Sequence, residues 1–177
     1  DEINSSIRYA AKRQNALLPK TYPGDSDINV EWRPRDRVGG DIYFIKDLPD
    51  KVYIAVVDCT GHGVPGAFLS IIARSHLDKA ITPDRYQSAG KYLSQVNMLL
   101  KDTLSRTDQK NTSEEGFDGG VCIYYRDERR LEFAGAKASI FQVQTGGASE
   151  TSGDRKSVGS TRMREGFEYT TDRRAHV

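Results

Sequence analysis

Val52-Tyr53-Ile54-Ala55-Val56-Val57 is a near-continuous apolar run that ends on Asp58, and after Gly61-His62-Gly63 the apolar spacing changes to that of a helix. A run rich in β-branched residues reads as a strand, and its continuity predicts burial on both faces. Beyond the glycines, Val64, Ala67, Phe68, Ile71, Ile72 and Ser75 recur at helical period, with Pro65 suited to the first turn. A strand therefore feeds a glycine loop and then a helix. Leu48-Pro49-Asp50-Lys51 reads as a hairpin joining this strand to one over Ile42 to Ile45, and the alternation Ile28, Val30, Trp32 predicts another strand before it. A second helix is expected after Pro83, with Tyr92, Val96, Leu99, Leu100 and Leu104 on one side. Val121 to Tyr125, Leu131 to Ala134 and Ile140 to Val143 then read as a meander whose first turn is Arg126 to Arg130. Helices and strands in blocks, with hairpins between the strands, predict an α+β layered domain over a doubly wound parallel sheet.

Ahead of this body, Ile3, Ile7, Ala10, Leu17 and Leu18, with Gln14 in the remaining seam position, alternate spacings of four and three. That is the spacing of paired helices, though over so short a stretch an amphipathic helix packed on its own domain fits the same residues. Residues 1–19 are expected to be an N-terminal linker or dimerisation helix giving a homodimer, and 20–177 one domain. Pro19 and the Tyr22-Pro23-Gly24-Asp25 cluster stop the helix. Arg106 to Glu115 reads as a mobile surface loop. Thr145 to Thr161 turns to Gly, Ser and Thr, and after Tyr169 no clear final element is expected.

Charge and composition exclude several function classes. Lys and Arg total 26 against 25 Asp and Glu, a net charge of +1 over 177 residues, so no positive field draws nucleic acid. No apolar stretch approaches the roughly 20 residues that cross a bilayer, so no membrane contact is expected of this segment. Cys59 and Cys122 lie in strand-like runs and read as buried thiols of a reducing compartment, hence a cytoplasmic location. The chain opens on Asp1, so it is expected to be part of something longer, such as the output domain of a membrane-bound sensor.

Three segments set an acid among glycines: Arg37-Val38-Gly39-Gly40-Asp41, Asp58-Cys59-Thr60-Gly61-His62-Gly63-Val64-Pro65-Gly66-Ala67 and Gly116-Phe117-Asp118-Gly119-Gly120. A Gly-Gly-Asp is also a common turn, but an acid at a strand end facing a glycine loop is where sheets place ligands. No Gly-Lys-Ser/Thr follows the loop, which excludes a P-loop, and no Gly-x-Ser-x-Gly elbow is present. Cys59, His62 and His76 lack the paired spacing of a zinc site. Carboxylates without paired His or Cys point to hard cations, magnesium or manganese.

These segments, in order with Phe133-Ala134-Gly135-Ala136 and Gly153-Asp154-Arg155-Lys156-Ser157-Val158-Gly159, resemble the bacterial PPM-type serine/threonine phosphatases of the SpoIIE/RsbU branch. The resemblance implies a PPM-phosphatase-like β-sandwich flanked by helices. It also implies two Mn2+ or Mg2+ ions, and hydrolysis of phosphoserine or phosphothreonine on a partner by attack of a metal-bridging water. The partner expected in this branch is a phosphorylated STAS-type anti-sigma-factor antagonist. By the same resemblance Asp58 is the bridging carboxylate, the carbonyl of Cys59 and the side chain of Asp41 belong to one of the metals, and Asp118 is a further candidate ligand. Arg37 matches a phosphate-holding arginine, and His62 is a candidate acid for the leaving oxygen or a loop anchor. The family's later Ser/Thr-Asp-Gly and Asp-Asp or Asn-Asp segments have no counterpart, so the C-terminal part is expected to be missing, leaving roughly half of a binuclear site and a chain expected to show little activity by itself. The rival reading is a non-catalytic switch or dimerisation scaffold with an incomplete metal site.

Overall fold

The computed structural model describes residues 2–19, 28–84, 87–107, 115–160 and 166–175. The Tyr22-Pro23-Gly24-Asp25 cluster, most of the polar loop between Arg106 and Glu115, and the last two residues lie outside the described residues. In chain order the elements are α1 (Glu2–Leu17), β1 (Asp41–Asp47), β2 (Lys51–Cys59), α2 (Gly63–Lys79), α3 (Ala89–Thr107), β3 (Phe117–Tyr125), β4 (Arg130–Ala136), β5 (Ser139–Gln144), β6 (Gly147–Ser152) and β7 (Asp172–Ala175). Five strands form one antiparallel sheet in the order β1-β2-β3-β4-β7, and β5 pairs with β6 in a second. The α+β class, the two central hairpins and both body helices agree with the sequence reading.

Alternation along each strand decides what the large sheet covers. Ile42 and Phe44 stand opposite Val57 and Ala55, which in turn stand opposite Gly119 and Val121. These side chains point to one face, where they form a single core with Ala73 and Leu77 of α2 and Leu93, Val96 and Leu100 of α3. Tyr53 and Tyr92 meet there with ring centroids 4.9 Å apart. Their hydroxyls are satisfied, Tyr53 donating to Gln87 Oε1 at 2.9 Å and Tyr92 to the Leu77 carbonyl at 2.7 Å. A buried phenol without such a partner would be costly.

The opposite face departs from the burial expected for β2. Val56 is 64% exposed. Instead of a full second layer, the small β5–β6 sheet borders this face across a cavity of about 470 Å³, lined by Ile54, Val56, Cys122, Phe133 and Ile140. An apolar run cannot itself specify what lies on each side of it.

Three further differences have local causes. Residues 28–34 form no strand, although their burial does alternate. The Asp41 carbonyl is taken by the indole N–H of Trp32 at 3.2 Å, and the Trp32 ring meets Tyr43 edge-on at 6.5 Å. The alternation thus reports one side lying on the body without a backbone ladder. β6 forms from residues with no apolar period because a tight turn brings Gly147 opposite Gln144 and pairing continues to Ser139↔Ser152. β7 completes the edge of β4 through Phe133↔Asp172 to Arg130↔Ala175.

The end of α1 rests on the domain body. Gln14 is buried and donates to the Gly39 carbonyl at 2.6 Å and to Ser70 Oγ at 2.8 Å, while Leu18 joins the core. Ile3 and Leu17 remain 78% and 40% exposed. Among the described residues no helix is long and apolar enough to cross a membrane.

Candidate active site

Pairing of β1, β2 and β3 puts Asp41 directly opposite Asp58, and Asp58 directly opposite Asp118. Directly opposed residues share a face with Cβ atoms about 4.5–5.5 Å apart. The carboxylates therefore stand side by side at one end of the sheet, on the face turned away from α2 and α3. β4 ends with Ala136 opposite Gly119, so Lys137 follows beside Asp118, its Nζ 3.7 Å from Asp118 Oδ1.

Like charges in register oppose folding. The middle member shows the strain: Asp58 is held above the usual carboxylate range by partial desolvation first, then by a side-chain hydrogen bond with Asp41, then by the charges of Asp41 and Asp118. Cys59 beside it is buried, and burial, with the charges of Asp58 and Asp41 behind it, pushes its thiol up to about 12. That thiol stays protonated at neutral pH. The Cys59 side chain, turned into the core, is therefore no thiolate ligand, and the residue's carbonyl is its remaining donor.

The loop after β2 turns through Gly61 and Gly63, whose φ values of 86° and 64° are left-handed and strain any residue with a Cβ. His62 between them is the N-cap residue of α2 but makes no side-chain cap. Its side chain is 75% exposed, with Nδ1 3.8 Å from Asp36 Oδ2. Arg37 is exposed and pairs with no acid among the described residues. Strand register thus brings Asp41, Asp58 and Asp118 side by side with Cys59 next in sequence, and His62 stands near Asp36.

Three residues position the site in ways their places in the sequence do not show. Thr60 clamps the β2 loop to the start of β3, its N–H donating to the Gly116 carbonyl at 2.9 Å and its Oγ1 accepting from the Gly116 N–H at 3.0 Å. Trp32 holds the Asp41 carbonyl, and Gln14 holds Gly39 from α1. Thr60 lies inside the motif, but only strand pairing reveals what it touches.

As a donor set, the row is all oxygen: carboxylates plus a carbonyl, with the neighbouring thiol unavailable. Among the described residues no three His, Cys, Asp or Glu side chains close around one point. An open row suits magnesium-like ions, which keep several waters and take only one or two carboxylates. The crowding at Asp58 is the second sign of fit, because a cation relieves it.

No protein-family model matches the chain. Phosphoserine phosphatase RsbU of Bacillus subtilis (strain 168) is 29% identical over 142 residues, covering 76% of this chain; the chain spans 38% of that relative's length. Among solved structures, the SiaA-PP2C domain of Pseudomonas aeruginosa is 30% identical with a TM-score of 0.83, covering 99% of this chain and 68% of that one. RsbX, solved in complex with magnesium, shares the fold at 13% identity and a TM-score of 0.56, covering 78% of this chain and 61% of that one.

Proposed function

Because the chain belongs to the PP2C phosphatase family, we propose that it forms part of a metal-dependent protein phosphatase that removes phosphate from phosphoserine or phosphothreonine on a partner protein. The observation that carries this reading is the register Asp41↔Asp58↔Asp118. Asp58, as the middle carboxylate, is the group able to reach cations on either side. Asp41 with the Cys59 carbonyl would hold one of them, and Asp118 would hold the other. When bound, such a cation supplies charge to the phosphoryl oxygens and acidifies a water. RsbX, with the same fold, was solved with magnesium, which supports a divalent ion here.

The chain's own residues orient this arrangement. Thr60 fixes the glycine loop against β3, and Trp32 and Gln14 fix the segment that delivers Asp41. His62 is better placed to anchor the loop mouth through Asp36 than to donate a proton over the row. Arg37 is free to meet a phosphoprotein from solvent. The partner class we propose is a phosphorylated STAS-type protein, with the exposed Ile3 side of α1 pairing two copies of the chain. The competing scaffold reading draws on the open geometry of the row.

The test is release of inorganic phosphate from a phosphoserine protein at saturating Mn2+. The complete domain should be active, Asp58→Ala in it should retain less than a few per cent of that rate with an unchanged circular dichroism spectrum, and the 177-residue chain alone should show little activity. No release by the complete domain would leave the scaffold reading standing, and equal rates in the two proteins would remove Asp58 from the site.

A further inference from the structure

Residues 153–159 carry the polar composition of a loop, yet they are laid across the ends of β3 and β4 as a fixed strap. Gly153 N–H donates to the Ala138 carbonyl at 2.8 Å, Asp154 N–H to the Gly135 carbonyl at 2.8 Å, and Lys137 N–H to the Asp154 carbonyl at 2.7 Å. Val158 exchanges both backbone hydrogen bonds with Phe117 at 2.9 Å. Gly159 N–H donates to Asn97 Oδ1 at 2.8 Å, and Val158 is fully buried. A Cβ on Gly116 would lie 2.0 Å from the Val158 carbonyl oxygen, so strap and sheet meet backbone to backbone.

Anchored at both ends, the strap presents Arg155 and Lys156 to solvent. They border a pocket of about 250 Å³ that Lys137 and Ser157 also line, with Glu115 and Asp118 as its acids. Neither Arg155 nor Lys156 has a carboxylate partner among the described residues. Asp118 lines both this pocket and the larger cavity in which Asp58 stands. The pocket therefore opens beside the acid row.

We propose that this pocket receives the phosphate group of the phosphorylated partner, with Arg155, Lys156 and Lys137 as its specificity-determining cations. The identity of the carrier, a phosphoserine or phosphothreonine protein, rests on the phosphatase reading; the phosphate chemistry of the pocket does not. A phosphate approaching three aspartates is repelled, and three basic side chains on the strap side of the row offset them. Arg155 offers a planar fork that matches two phosphate oxygens, while Lys156 and Lys137 act as point charges. The strap backbone is already ordered by its hydrogen bonds, so binding has only the side chains to immobilise. The polar sequence of the strap thus follows from its place at the mouth of the site.

Inorganic phosphate titrated into the metal-free chain at low salt, followed by amide resonances, tests the pocket independently of hydrolysis. The expected result is saturable shifts at Thr60 and residues 155–159, with affinity reduced about tenfold in Arg155→Gln with Lys156→Gln. Both positions are exposed, so thermal unfolding should not change; Arg155→Gln alone should give an intermediate loss. Absence of shifts in the strap, or equal affinity in the double variant, would overturn the proposal whatever the chain hydrolyses. In the complete domain with Mn2+ and a phosphoserine peptide, KM should rise about tenfold in the double variant while kcat stays within about twofold. A fall in kcat at constant KM would refute the specificity role. Strap binding of phosphate by a complete domain that hydrolyses no phosphoserine peptide would uphold the pocket and remove the phosphatase reading.

Discussion

Replacing Asp58 by Asn should make the metal-free protein more stable, the opposite of what most substitutions do. Asp58 faces Asp41 on one side and Asp118 on the other in strand register. At a separation of about 5 Å, Coulomb's law gives about 0.8 kcal/mol per pair in bulk water and about 3 kcal/mol at an effective dielectric of 20. Asp58 is open to solvent, which places it near the lower figure, so relief of two pairs amounts to about 1–2 kcal/mol. The amide preserves shape and can still hydrogen bond to Asp41. For a domain of this size the melting temperature should rise by about 3–6 °C in a chelator. The pH dependence has a definite sign: the native state holds a proton on Asp58 more readily than the unfolded chain does. The penalty is therefore absent below the ordinary carboxylate value and fully present above the raised native one, so wild type should gain stability on acidification from neutral pH and the variant should lack that share. Mn2+ should raise the wild-type melting temperature and leave Asp58→Asn nearly unmoved. The assay is thermal unfolding by circular dichroism in chelator and in Mn2+. A lower melting temperature for Asp58→Asn in chelator would rule out repulsion within the row, and an equal Mn2+ shift in both proteins would rule out Asp58 as a ligand.

Two further perturbations of the fold have equally direct readouts. Gly40→Ala places a Cβ 2.6 Å from the Cys59 carbonyl oxygen, and should cost about 1–3 kcal/mol in chemical unfolding, in the range of overpacked interiors; an unchanged midpoint would show that β1 and β2 can separate there. Light scattering should show a dimer for the intact chain and a monomer for Ile7→Asp with Leu17→Asp, whereas an unfolded double variant would assign α1 wholly to the core.

Sequence reading succeeded where one residue's neighbours along the chain decide its state. β2, the glycine loop and α2 follow from a change of period, and the hairpin at Leu48-Pro49-Asp50-Lys51 from turn chemistry. Asp41, Asp58 and Asp118 could each be picked out among glycines, but their alignment depends on register, and a slip of one residue would send a strand's set to the other face. Trp32 shows the limit of alternation: one-sided contact and strand pairing leave the same pattern. β6 and β7 lack any apolar period because partners, not composition, create them. Thr60, Gln14 and the strap bearing Arg155 act through backbone contacts 25 to 56 residues away or across strand ends, which no local window contains.

Whether the aspartate row holds a divalent cation is read by titrating Mn2+ into the chain and following it by electron paramagnetic resonance. Binding should be detectable though weak, since few protein oxygens are gathered, and Asp41→Asn, Asp58→Asn and Asp118→Asn should each weaken it, Asp58→Asn most. Mn2+ affinity equal in wild type and Asp58→Asn would contradict the account.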